Sequence, residues 1–327
     1  MTHPYNGLFP NTGGSSTVAA GDIVPIISFR VTSNAGLVNS QAKTIGLART
    51  KGMAGRRSAT WEAVFPWQPS GTAGTVPNLD PVLQAIFCAA PTVSAGVSVT
   101  YAFPSTAQPS QLSFFLFRTA GSNVFQRAVR GCVVNAFTIA TSGEEATLTV
   151  SGTCAGEIDS VNFASYSTAD KGGLTSFPTE PSSPTAVGSS IVAFIGSVSV
   201  DSVTSHSVES WSINASMNRG LQYKFGERTP SVPTARLRDL AYSLSIFEEN
   251  TSALSALRFK WYNSTAVPVS FILGDVAGSI ATFAMATTVL PSEELDQIDG
   301  QSVVRWNAAQ AYSSAVGQND ELVLTLT

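Results

Sequence analysis

A chain of 327 residues with 43% hydrophobic side chains can bury a sizeable core and has room for more than one unit of ordinary domain size. Only 12% of its residues are charged, about half the usual share, and the net charge of −4 with a pI near 5.2 argues against a sequence reader of nucleic acid, which needs a basic excess. No run of 18 apolar residues predicts a membrane helix, and the opening MTHPYNG lacks the basic and apolar regions of a secretion signal, so folding in a cytoplasm is expected.

Residues 1–22 are rich in Gly, Ser and Thr and read as an extended arm. Residues 28–32 (SFRVT) and 59–65 (ATWEAVF) alternate as strands with one apolar face. A short helix is predicted over 79–89, with Asn78 or Asp80 as its cap and Leu79, Val82, Leu83 and Ile86 on one face. Strands follow at 112–117, 132–140 and 146–153. The stretch 165–190 holds Gly172, Gly173, Pro178, Pro181 and Pro184 with little apolar periodicity, and reads as a linker.

The same order then returns. Strands are predicted at 210–214 and 241–247, and a helix over 252–261 capped by Asn250 or Thr251, with Leu254, Leu257 and Trp261 on one face. Strands at 269–273, 281–290 and 301–311 complete the series. The first two strands of each half stand 182 residues apart (28 to 210, 59 to 241), and the offset falls to about 155 later because the second half lacks counterparts of 72–77 and much of 93–109. The expected fold is mainly β: two similar β-sandwich or half-barrel units, each with a short flanking α-helix. The expected division is arm 1–22, first unit 23–164, linker 165–190 and second unit 191–327.

Each unit carries a long excursion between its first two strands, 34–58 and 216–240. Lys43, Arg49, Lys51, Arg56 and Arg57 lie in the first, and Arg219, Lys224, Arg228, Arg236 and Arg238 in the second, which makes ten of the chain's 18 Lys and Arg. In a weakly acidic protein these are either two solvated loops or a pair of arms that dock on acidic patches of neighbouring copies.

Chemistry-bearing patterns are sparse. Cys88, Cys132 and Cys154 are odd in number and match no metal spacing, so three buried thiols are expected. His3 and His206 are the only histidines, and neither stands near a nucleophile turn. The pairs Glu144–Glu145, Glu248–Glu249 and Glu293–Glu294 read as turns and solvated faces. The five tryptophans are scattered and read as core or interface anchors. No catalytic, cofactor-binding or metal site is predicted, and no cofactor is expected.

Three stretches carry a family resemblance. Residues 71–85 (GTAGTVPNLDPVLQA) place a Gly-rich turn and a helix with proline after the second strand, 129–135 (VRGCVVN) step through Gly-Cys into an apolar strand, and 271–290 run into Leu290-Pro291. In these the chain resembles phage tail tube proteins, over most of 29–311. The resemblance implies a major tail protein with a duplicated tube domain, a structural subunit of the virion tail assembled in the host cytoplasm. Its partners would be copies of itself and other tail proteins, with DNA passing through unrecognised and no membrane involved. A single tube domain of the family usually needs six copies to close, so a fused pair implies trimeric rings with pseudo-sixfold symmetry. The rival is a hexamer in which one half alone lines the channel. Two other classes start from the same composition: a β-sandwich adhesin or carbohydrate-binding module, and a β-sandwich hydrolase. The missing secretion signal and unpaired cysteines argue against the first, and the lack of a convergent His or carboxylate site against the second.

Overall fold

The computed structural model describes residues 7–12, 22–34, 36–38, 53–104, 109–120, 123–141, 145–171, 174–180, 190–192, 195–204, 206–249, 251–315 and 318–327. The first half contains β1 (Gly7–Thr12), β2 (Ser28–Asn34), β3 (Leu37–Val38), β4 (Met53–Ala54), β5 (Ser58–Pro66), α1 (Asp80–Phe87), β6 (Thr92–Ser94), β7 (Ser98–Ala102), β8 (Leu112–Ala120), β9 (Asn123–Ala140), β10 (Thr147–Cys154) and β11 (Gly156–Asp159). After the short α2 (Thr168–Lys171) come β12 (Gly196–Val200), β13 (Val208–Ser216), β14 (Gly220–Gln222), β15 (Val232–Thr234), β16 (Asp239–Phe247), α3 (Ser252–Tyr262), β17 (Val267–Leu273), β18 (Ala281–Val289), β19 (Glu294–Ile298), β20 (Gln301–Tyr312) and β21 (Val323–Leu326). Among the described residues no helix is long and apolar enough to cross a membrane.

The mainly-β expectation holds, and seventeen strands join in one antiparallel hydrogen-bonded network, with β3–β4 and β14–β15 as separate hairpins. Alternation makes the strands. In β5 the odd residues Ala59, Trp61, Ala63 and Phe65 are buried while Ser58, Thr60 and Glu62 are exposed, as a half-buried pleated strand requires. One large apolar cluster runs through both halves, from Trp61, Phe65 and Phe137 to Tyr242, Phe271 and Trp306. Trp211 stacks on Phe271 with ring centroids 4.5 Å apart, so the buried tryptophans serve the core. Residues 163–171 and 174–177 do not stand clear of the first half: Leu174, Phe163 and Phe177 pack with Phe115 and Phe117 of β8 in a second, smaller cluster.

Both predicted helices form, with corrected ends. Leu79, not Asn78 or Asp80, occupies the N-cap position of α1, and Asp80 instead accepts hydrogen bonds from Gln84 (2.6 Å) and Tyr101 (2.7 Å). The α1 turn closes on Cys88 in the left-handed region (φ 57°). Thr251 caps α3 by accepting from the Leu254 N–H (3.2 Å), with Leu254 and Leu257 buried; Asn250 lies outside the described residues.

Besides strands that the sequence pattern did not mark, among them β7, β12, β21 and β1, which pairs with β8 from within the expected arm, three features depart from the expected pattern. β9 is one strand of 18 residues, twice the expected length. Gly131, at φ 58°, kinks it midway, so its first half pairs with β8 and β11 and its second half with β10 and β13. A further strand, β19, stands between β18 and β20, and Glu293–Glu294 leads into it rather than sitting in a solvated turn. The 182-residue offset fails at the second strand pair. Ala59, Trp61, Ala63 and Phe65 face the core, as do Leu240, Tyr242, Leu244 and Ile246, so like-facing residues are 181 apart. A shift of one residue exchanges the two faces of a strand.

Candidate functional site

The side of the sheet turned away from the core is a broad polar face. It crosses eight strands in the order β2–β5–β10–β9–β13–β16–β20–β19. One rung of directly opposed residues reads Val64, Thr149, Thr138, Asn214, Ala241 and Gln310. The next reads Arg30, Glu62, Ser151, Ala136, Ser216 and Asp239. The alternate rung on the core side is Phe29, Ala63, Val150, Phe137, Ala215 and Leu240. The first rung carries hydroxyl and amide groups and no charge, while the second sets Ser151 and Ser216 among Arg30, Glu62 and Asp239, so the face is wettable and of mixed charge.

The two halves of the chain meet within this face. Five antiparallel pairs, from Ser212 opposite Ala140 to Ser216 opposite Ala136, join β13 to β9. The Thr138 hydroxyl donates to Asn214 Oδ1 at 2.9 Å across the seam, and the Thr141 hydroxyl donates to the Trp211 carbonyl at 2.9 Å. Among the described residues the face ends on β2, which is bonded only to β5, and on β19, which is bonded only to β20.

The two excursions touch each other at one end of the sheet. The Arg57 N–H donates to the Arg228 carbonyl at 2.7 Å, Arg228 Nε reaches the Gly55 carbonyl at 3.3 Å, and the Tyr223 hydroxyl donates to the Arg57 carbonyl. The Arg56 guanidinium lies 4.8 Å from the Tyr223 ring. Arg57 pairs with Asp170 at 3.4 Å, and Arg238 pairs with Glu321 at 3.0 Å while stacking over Phe103. Arg219 is buried, its Nη1 donating to the Ala85 and Ile86 carbonyls at 3.0 and 2.9 Å. Arg56, Lys224, Arg228 and Arg236 are exposed. Lys43, Arg49 and Lys51 lie outside the described residues.

The residues weighed for chemistry are spread apart. His206 is half-buried, and burial lowers its pKa, with Glu249 opposing. Glu248 and Glu293 both hold Arg258, at 2.9 and 2.8 Å. Cys132 and Cys154 are buried and Cys88 is partly so; burial pushes the Cys132 thiol well up. A cavity of about 470 Å³ is lined by Arg57, Arg127 and Arg130 opposite Glu157, Asp159 and Asp170. Burial pushes Arg130 down to about 10, with Asp170 opposing. Among the described residues no group of His, Cys, Asp and Glu could hold a metal ion.

A wide polar face on a sheet with two open ends has the form of a wall segment rather than a reaction site. The family model described as phage tail tube protein matches residues 10–310. The chain belongs to the phage tail tube protein family. No curated protein matches it. Membership makes the protein a non-enzymatic structural subunit of the tail tube, located in the virion tail, and a subunit that assembles with copies of itself. No sequence signal pointed to β19 as an end strand, because five residues with one Glu, one Asp and one Gln read as a loop.

Proposed function

We propose that each chain supplies two similar tube units to the ring and that three chains close it with pseudo-sixfold symmetry. The observation that carries this is the β9–β13 seam, which sets strands of both halves side by side in one sheet with a common polar face. The order of pairings supports it: β2–β5–β10–β9–β8 in one half is matched by β13–β16–β20–β18–β17 in the other. The units are the proposed spans 23–164 and 191–327, preceded by an arm at 1–22 and joined through 165–190. Closing a sheet on itself removes its edges. The polar face becomes the channel lining, along which DNA passes without being recognised. The exposed cations Arg56, Lys224, Arg228 and Arg236 sit on the touching excursions and serve contacts between stacked rings or neighbouring subunits.

Cryo-electron microscopy of assembled tubes, or native mass spectrometry of single rings, tests the count. Three chains per ring with both halves in the wall is the expected result. Six chains per ring, with one half of each outside the wall, overturns it.

A further inference from the structure

The seam within the chain is a template for the seam between chains. β13 precedes one excursion and pairs with β16 beyond it; β2 precedes the other and pairs with β5 beyond it. On the other side, β9 ends in the hairpin pair Ala140 opposite Thr147, and β19 ends in the hairpin pair Ile298 opposite Gln301. Four rungs back, Ala136 opposes Ser151 and Glu294 opposes Arg305. So β2 corresponds to β13, and β19 to the second half of β9, whose first half on β8 matches β18 on β17; yet β13 and β9 are bonded to each other while, among the described residues, β2 and β19 each have a strand on one side alone.

We infer that β2 of one chain pairs antiparallel with β19 of the next, placing Arg30 opposite Ile298, Thr32 opposite Asp296 and Asn34 opposite Glu294. This rests on the ring reading above and names its closing contact. The pairing keeps Arg30, Thr32, Asn34, Glu294 and Asp296 on the channel face and Phe29, Val31 and Leu295 on the core face.

Four observations support a copy of the chain as the occupant. Asp299 and Gly300 (φ 50° and 82°) form a tight two-residue turn, which points the N–H and C=O groups of Leu295 and Gln297 away from β20. Leu295 lies opposite the buried Val304 yet is 62% exposed, and in the inferred register Ser33 faces it with Val31 on the diagonal. The ends carry complementary chemistry. Arg30 is exposed and without an ion pair among the described residues, and it comes diagonal to Asp296. Thr32 and Asp296 repeat the Thr138–Asn214 hydrogen bond with the partners exchanged between the strands.

The fourth observation is an orphaned oxygen. At the existing seam Asn135 closes the end: its carbonyl accepts the Met217 N–H at 2.6 Å and its Oδ1 accepts the Arg219 N–H at 2.9 Å. Glu293 stands at the corresponding position, one residue before Glu294. Its Oε1 is held by Arg258, but its Oε2 is buried with no donor among the described residues. A buried carboxylate oxygen without a donor is costly. The backbone of the next chain, just beyond Asn34, would supply that donor.

The test is a cross-link in assembled tubes. Opposed residues on paired strands have Cβ atoms about 4.5–5.5 Å apart, close enough for a disulfide after small adjustment. Tubes of the double variant Thr32→Cys with Asp296→Cys, oxidised and run without reductant, should give covalent dimers and trimers that neither single variant nor the parent gives. Rings of three chains without these cross-links overturn the inferred seam and leave the ring count intact. Cross-linking by Thr32→Cys with Glu294→Cys instead overturns the register. A ladder that ends at six chains supports the seam and overturns the three-chain ring. If the cysteine variants do not assemble, hydrogen exchange of the parent decides. Amides of 28–34 and 294–298 should gain at least tenfold protection on assembly, and unchanged exchange overturns the inference.

Discussion

Arg219 shows how a single cation can be committed inside the fold. It follows β13 in the second half of the chain, and its guanidinium reaches across to the last turn of α1 in the first half, where the Ala85 and Ile86 carbonyls have no partner within the helix. A positive charge there also meets the negative end of the helix dipole. Burial lowers the Arg219 pKa, yet an arginine stays charged at any physiological pH. Replacing it with Ala leaves the Ile86 carbonyl without this donor and the Ala85 carbonyl with the weak Cys88 thiol at 3.6 Å, a loss of about 1–3 kcal/mol. Urea unfolding of the unassembled chain should show that loss for Arg219→Ala and a smaller one for Arg219→Lys, which keeps a single donor group. Equal stability of Arg219→Ala and the parent would refute the clamp. The sequence grouped Arg219 with nine other basic residues because charge is visible in a sequence and the position of a distant helix end is not.

At the scale of elements, alternation was the legible signal and pairing was not. β5 and β13 were readable because one face is apolar and the other hydroxylic. β19 was unreadable because an end strand has a partner on one side only and here carries acidic residues, the usual device for discouraging unwanted edge pairing. The kink in β9 lies at Gly131, inside a motif the sequence did single out, but its consequence depends on which strands lie beside it. The excursions were legible as basic and long, whereas their mutual contact through Tyr223, Arg57 and Arg228 comes from the β9–β13 seam bringing their bases together. Reversing the four exposed cations together, Arg56, Lys224, Arg228 and Arg236 to Glu, should leave the chain folded and block tube growth, since like charges would then face the acidic patches they are proposed to meet. Normal melting with tubes of normal length and yield, seen by negative-stain microscopy, would remove the excursions from assembly.

For the whole molecule, the informative property is how few cations the polar face carries on its outer rungs. Thr149, Thr138 and Asn214 share one rung without charge, and the next sets Ser151 and Ser216 among Arg30, Glu62 and Asp239, so the one cation of these two rungs stands in line with two carboxylates on what the ring reading makes the channel wall. Such a wall binds water well and phosphate poorly. Each cation that engages a phosphate releases counterions, and the binding weakens steeply with salt. A wall repeated along a tube multiplies any such contact by the number of rings. Thr60 is exposed on β5, with its backbone paired on both sides, so a longer side chain there can extend into the channel without disturbing the core. Thr60→Lys should therefore give tubes of normal appearance whose virions eject DNA more slowly at low salt, with the rate recovering as salt is raised. Slow ejection at every salt concentration would point to a steric block, and unchanged ejection at low salt would mean that this face does not line the channel.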